Sequence, residues 1–142
     1  MIAVLDSSAL IYYFEGTPPY RNAVTQALTA IKQLDASAQV AVSRLGVMEC
    51  RVKPLREGNT DLLKRYDSFF GRVHIVELTA SVVGIATQLR ADLSMKTPDS
   101  LQAACALSLG ADACFVTGDS AFTRVPGLKV RHLVADLEWL VQ

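Results

Sequence analysis

The sequence predicts an α/β fold, a three-layer α/β/α sandwich around a central parallel sheet of about five strands. Two observations carry that prediction. Short apolar runs of strand length recur along the chain, and each is followed by residues with helical spacing of their apolar positions. Strands that alternate with helices imply a parallel sheet covered on both faces. In addition, the 142 residues are 51% hydrophobic with a mean hydropathy of +0.27. That is enough for one buried core and too little chain for two, so 1–142 reads as a single domain.

The elements follow in order. Ile2-Ala3-Val4-Leu5 is a buried strand, and Ser7 is placed to cap a helix carrying Leu10, Ile11 and Phe14 that Gly16 ends. Pro18 and Pro19 mark a break before a second helix with Val24, Leu28 and Ile31. Gln39 to Ser43 is the next strand, and Ser43 caps the helix of Leu45, Met48 and Val52, which Pro54 and Gly58 shorten or kink. Asn59 starts a helix with Leu62, Leu63, Tyr66, Phe69 and Phe70 on its apolar side. Val73 to Glu77 is a third strand, and Thr79 caps a helix with Val82, Ala86, Leu89 and Leu93. Thr97-Pro98-Asp99 reads as a cap followed by Pro at the first helical position, with Gly110 as the stop. Ala113 to Thr117 is a fourth strand, Leu128 to Arg131 a fifth after the Pro126-Gly127 turn, and Ala135 to Val141 a closing helix.

Composition excludes several classes. The hydrophobic content rules out a disordered chain. No apolar run approaches the roughly 20 residues that span a bilayer. Met1 to Asp6 has no basic segment and meets a carboxylate at once, so no signal peptide is expected and the protein is read as cytoplasmic. Cys50, Cys105 and Cys114 form no C-x-x-C pair and read as reduced, buried small hydrophobes. His74 and His132 are isolated, which speaks against a histidine base or a zinc site. The net charge is zero, so no global field announces a polyanionic partner. Between Arg44 and Arg72, however, seven basic residues face four acidic ones. Arg51, Lys53 and Arg56 in that segment are candidate phosphate contacts, although a solvated helical face explains the same pattern.

In parallel α/β folds, sites lie beyond the carboxyl ends of the strands. Asp6 follows the first strand directly, and Asp119 lies two residues beyond the fourth. Asp99 sits in the first turn of a helix, and Glu49 lies on the helix after the second strand. Singly, each has a plain structural explanation: a cap, a loop residue, a favourable charge at a helix start. Together they form a set of four carboxylates on one rim. Such a set repels itself unless a cation neutralises it, and its hard oxygens select Mg²⁺ or Mn²⁺ over zinc. These ions acidify water and stabilise charge on a phosphate undergoing in-line displacement. No Ser-His-Asp, Cys-His, G-x-G-x-x-G or Walker A pattern competes.

Four segments carry a family resemblance. Leu5-Asp6-Ser7-Ser8-Ala9-Leu10-Ile11 resembles the opening motif of PIN-domain nucleases, and Ser43 to Glu49 their second, glutamate-bearing motif. Thr97 to Ala104 resembles the third, and Phe115 to Phe122 the fourth. The compact length is most similar to the VapC-like toxins of bacterial toxin–antitoxin pairs. The resemblance implies an α/β/α sandwich and an endoribonuclease that uses Mg²⁺ or Mn²⁺. It also implies a homodimer and inhibition by a small antitoxin, whose basic tail would suit so acidic a site. By position it makes Asp6, Glu49, Asp99 and Asp119 both catalytic residues and metal ligands, with Thr117 and Ser7 in support. Two other readings stay open: a PIN-like nuclease with an RNA-processing or DNA-directed role, and a non-catalytic RNA- or protein-binding module on the same fold.

Overall fold

The computed structural model describes residues 1–133. Five strands form one sheet: β1 (Ile2–Leu5), β2 (Gln39–Ser43), β3 (His74–Val76), β4 (Ala113–Thr117) and β5 (Val130–His132). Their order is β3-β2-β1-β4-β5, and every neighbouring pair is parallel. The helices are α1 (Ser7–Glu15), α2 (Pro18–Leu34), α3 (Arg44–Glu57), α4 (Thr60–Phe70), α5 (Ala80–Leu93) and α6 (Thr97–Ser108). A short 3₁₀ turn spans Ser120–Arg124.

Alternation along the strands sends side chains to two separate cores. Ala3, Leu5, Val42 and Val116 pack with Leu10, Val24, Ile31, Leu62 and Tyr66 from α1, α2 and α4. Val4, Ala41 and Phe115 face the opposite way, against Val82, Ala86 and Leu89 of α5 and Ala103 to Ala106 of α6. Each fully buried aliphatic chain contributes about 1.5–3 kcal/mol, and the two cores hold the sheet between its helical layers. The sandwich is therefore the one the sequence predicts.

Several local expectations are corrected. The cap of α1 is Asp6, whose Oδ1 accepts the Ala9 N–H at 3.0 Å; Ser7 is the first helical residue. The expected break between α1 and α2 is present but falls on Gly16 and Thr17; Pro18 and Pro19 are already in the first turn of α2, where their missing N–H groups cost nothing. Helix α3 continues through Pro54 to Glu57 and stops at Gly58, whose φ of +66° suits glycine. Thr97 is not the cap of α6: its hydroxyl accepts from Arg90 Nη1 at 2.9 Å, and the cap position falls to Lys96. Strand β5 starts later than expected because Leu128 N–H bonds back to Val125 at 3.2 Å and remains in the turn. The 3₁₀ turn was not foreseen, since five residues are too few to show a period. The helix expected over Ala135 to Val141 lies outside the described residues.

The strand order positions the site. From the central β1 the chain steps outward to β2 and β3, then returns to β1's other edge for β4 and β5. The reversal falls between β1 and β4, where α/β sheets open a crevice at the strands' carboxyl ends. Asp6 leaves β1 there, and Thr117 ends β4 there.

Candidate active site at the carboxyl ends of β1 and β4

Asp6 is the most constrained member of the rim. It is 5% exposed. Its Oδ1 accepts from Ser8 Oγ at 2.6 Å and from the Ala9 N–H, and its Oδ2 accepts from Thr117 Oγ1 at 2.5 Å. Burial pushes its carboxyl above the ordinary aspartate value; these hydrogen bonds oppose the shift, and the charge of Asp119 adds to it. Thr117 is itself fully buried and ties the two strand ends together, because its Oγ1 also accepts the Asp119 N–H at 3.0 Å. Ser8 makes a second tie, accepting the Gly118 N–H at 2.9 Å.

Glu49 projects from α3 toward α1 and α6. Its Oε1 accepts from Ser7 Oγ at 2.6 Å and from Gln102 Nε2 at 2.9 Å. Gln102 is 4% exposed; it also donates to Ser7 Oγ at 3.1 Å and accepts from Ser43 Oγ at 2.8 Å. Ser43 in turn caps α3 by accepting the Gly46 N–H at 2.9 Å. A chain of hydrogen bonds thus runs from the end of β2 through α6 to the Glu49 carboxylate.

Asp99, half-buried at the start of α6, is also raised, first by burial, then by the charge of Asp119. Lys96 lowers it, and Glu49 raises it further. Asp119 is exposed and caps the 3₁₀ turn by accepting the Ala121 N–H at 2.9 Å. The four predicted carboxylates therefore feel one another's charge: Asp6 with Asp119, Asp99 with Asp119, Asp99 with Glu49. Among the described residues, no three Asp, Glu, His or Cys side chains stand close enough together to hold an ion as they are. The donor set nonetheless fits a hard divalent cation. It is all carboxylate and hydroxyl oxygen, and burial and mutual repulsion leave its negative charge uncompensated.

The three candidate phosphate contacts differ in their ion pairing. Arg51 pairs with Asp67 at 2.9 Å and Lys53 with Glu15 at 3.3 Å, and Arg44 is bound to Glu77. Arg56 is exposed and makes no ion pair among the described residues. Three residues at the site had no role assigned from sequence: Ser8, Gln102 and Tyr12. The first two lie inside the matched motifs, and the hydroxyl and amide were the only signal. Tyr12 packs its ring edge on Gly118, where an added Cβ would stand 2.6 Å from the Tyr12 hydroxyl. All three cysteines are free thiols; Cys50 and Cys105 are buried as expected, with burial pushing Cys50 up to about 12 and Cys105 to about 11, whereas Cys114 is only half-buried.

A three-layer parallel sandwich with an acidic rim at its strand reversal suits a site for charged ligands, and the comparison of families narrows the class. The PIN domain family model matches residues 3–128, and the chain belongs to that family. Its fold is similar to chains of solved toxin–antitoxin assemblies. One is VapBC2 from Rickettsia felis bound to a DNA fragment from its promoter, at 22% identity and a TM-score of 0.73, covering 93% of this chain and 98% of that one. Another is VapBC-1 from nontypeable Haemophilus influenzae, at 18% identity and a TM-score of 0.75, covering 94% and 99%. A third is DNA-bound VapBC from Salmonella typhimurium, at 19% identity and a TM-score of 0.74, covering 94% and 98%. Comparison with curated proteins gives no match.

Proposed function

We propose that this chain is a divalent-metal-dependent endoribonuclease and the toxin of a toxin–antitoxin pair, acting on structured RNA in the cytoplasm. The observation that carries the reading is the placement of Asp6. A carboxylate buried to 5% exposure, held by three hydrogen bonds at the strand reversal and opposed by a neighbouring aspartate, is costly for a scaffold and useful for a cation.

Asp6, Glu49, Asp99 and Asp119 would hold Mg²⁺ or Mn²⁺. Such an ion supplies positive charge against the scissile phosphate and lowers the pKa of water. The protein's own groups do the positioning. Thr117 and Ser8 fix both oxygens of Asp6, while Ser7 and Gln102 fix one oxygen of Glu49 and leave its Oε2 without a hydrogen bond among the described residues. Asp99 and Asp119 lie on the solvent side, where a phosphate backbone would approach. Arg56 makes no ion pair among the described residues and would be the readiest phosphate contact on α3, while Arg51 and Lys53 would share their donors with Asp67 and Glu15.

The solved relatives, which are VapBC complexes, support an antitoxin partner for this chain. An Arg from the antitoxin's basic tail would complement the rim, since its fork pairs with carboxylates. Exposed apolar side chains on α3, with Met48 at 57% and Leu55 at 56%, support a homodimer. The test is tightly controlled expression followed by transcriptome-wide mapping of new RNA 5′ ends, alongside Asp6→Ala. New ends confined to the wild type support the reading; identical end profiles for the two proteins overturn it.

A further inference from the structure

The turn between α1 and α2 gathers three side chains that the acid rim does not use. Tyr12 sits with its ring edge against Gly118, the residue between Thr117 and Asp119. Its hydroxyl makes no hydrogen bond among the described residues. Tyr20 lies against it, with ring centroids 4.9 Å apart and planes tilted by 57°, and remains 41% exposed. Arg21 is held in the same turn by two backbone carbonyls: its Nε donates to Tyr13 at 3.2 Å and its Nη2 to Gly16 at 3.5 Å. No carboxylate pairs with Arg21 among the described residues.

The local sequence builds this arrangement. Gly16 lets the turn close: a Cβ there would fall 2.4 Å from the Tyr12 carbonyl oxygen and 3.0 Å from the Tyr20 Cβ. Pro18 and Pro19 fix the backbone just before Tyr20. Tyr12 thus touches the Thr117–Asp119 loop at Gly118, Tyr20 packs on Tyr12, and the Arg21 guanidinium is fixed on the turn that carries both rings. A tyrosine pair whose outer member is half in water stabilises the fold less than a buried pair would. An exposed aromatic face beside an unpaired cation is, however, what single-stranded nucleic acid needs: a base to stack and a phosphate to neutralise.

We propose that Tyr12 and Tyr20 form a nucleobase-stacking platform beside the acid rim, with Arg21 on the adjoining phosphate. It receives an unpaired base next to the cleaved bond. Tyr20 offers the stacking face; Tyr12 holds that face at a fixed distance from Gly118 and so sets the step between the stacked base and the scissile phosphate. The inference rests on the ribonuclease reading and adds to it a preference for an unpaired nucleotide, as in a loop, at the cut.

The test uses the full chain in Ca²⁺, which takes oxygen donors in a looser geometry than Mg²⁺. Two fluorescein-labelled probes are compared by anisotropy: an adenosine RNA 12-mer and a 12-mer of the same ribose-phosphate backbone without bases. Tyr20→Ala is expected to weaken binding of the adenosine 12-mer about five- to a hundredfold, the range for one base stacked on an aromatic side chain. It should leave the abasic 12-mer unchanged, and Tyr20→Trp should restore binding. Arg21→Ala should weaken both probes alike and reduce the salt slope by about one. An equal effect of Tyr20→Ala on both probes overturns the platform, and so does no effect, or wild type that does not prefer the adenosine probe. Cleavage in Mg²⁺ is measured separately. A protein that prefers bases and does not cut keeps the platform and loses the nuclease; one that cuts without the preference does the reverse.

Discussion

Replacing Gln102 by glutamate keeps the shape of the side chain and reverses one end of it. In the native protein Gln102 Nε2 donates to Glu49 Oε1 at 2.9 Å and to Ser7 Oγ at 3.1 Å, inside a site where Gln102 is 4% exposed. Gln102→Glu puts a carboxylate oxygen where that donor stood. Two unit charges about 3 Å apart repel by roughly 5–6 kcal/mol at an effective dielectric of ~20. Proton uptake sets a lower ceiling. Neutralising one carboxyl at pH 7 from an ordinary glutamate value of ~4.3 costs about 1.36 kcal/mol per pH unit, or roughly 4 kcal/mol. The proton is then shared between the two oxygens, so the variant folds with that cost at pH 7. The sign is fixed by linkage: a carboxyl raised on folding favours the folded state at low pH and disfavours it as pH rises. The penalty should therefore be near zero at about pH 4.5 and approach ~4 kcal/mol at pH 7, some 10 °C in melting temperature for a chain of this size. Urea unfolding in EDTA at both pH values is the assay. A penalty equal at the two pH values, or below ~1 kcal/mol at pH 7, would refute the Gln102–Glu49 contact as drawn.

Three further outcomes follow from the same geometry. Asp99→Asn loses a helix-start interaction of about 0.3–1 kcal/mol but relieves repulsion from Asp119 and Glu49, so without metal it should melt higher than wild type near pH 7 and respond less to Mn²⁺; lower melting with an unchanged Mn²⁺ response would make Asp99 a helix-start residue only. Asp6 and Asp99 are both raised on folding, so metal-free wild type should lose stability as pH climbs from about 4 through their folded values, and Asp6→Asn should flatten that slope in denaturation at successive pH values; an unaltered slope contradicts the assignment. Gly118→Ala drives a methyl to 2.6 Å from the Tyr12 ring and should cost about 1–3 kcal/mol, most of it recovered in the double variant with Tyr12→Ala; a neutral single variant would mean that the contact yields freely.

What the sequence revealed and what it hid have physical causes. The placement of Asp6 and Asp119 at one sheet edge was legible because the apolar runs of β1 and β4 mark where those strands end, just before each carboxylate. Ser43, Asn59 and Thr79 cap α3, α4 and α5, as local chemistry predicts, since a cap needs only its own next turn. Ser7 and Thr97 were misread as caps because each hydroxyl is taken by a distant partner, Glu49 and Arg90, that no local pattern reveals. Gln102 was hidden for the same reason: its partners lie 53, 59 and 95 residues away. The pairing within the basic segment was hidden because charge counting ignores it: Arg51 and Lys53 find Asp67 and Glu15 only once α1, α3 and α4 pack.

The central claim is that these four carboxylates hold a cation that cuts RNA. Its most direct measurement is cleavage of a structured RNA by purified protein in Mg²⁺, in Mn²⁺, in EDTA, and by Asp6→Asn under the same conditions. The account predicts cutting with either ion, none in EDTA, recovery when the ion is returned, and a loss of at least a hundredfold in the variant. Cutting that persists in EDTA, or that Asp6→Asn retains, would contradict it.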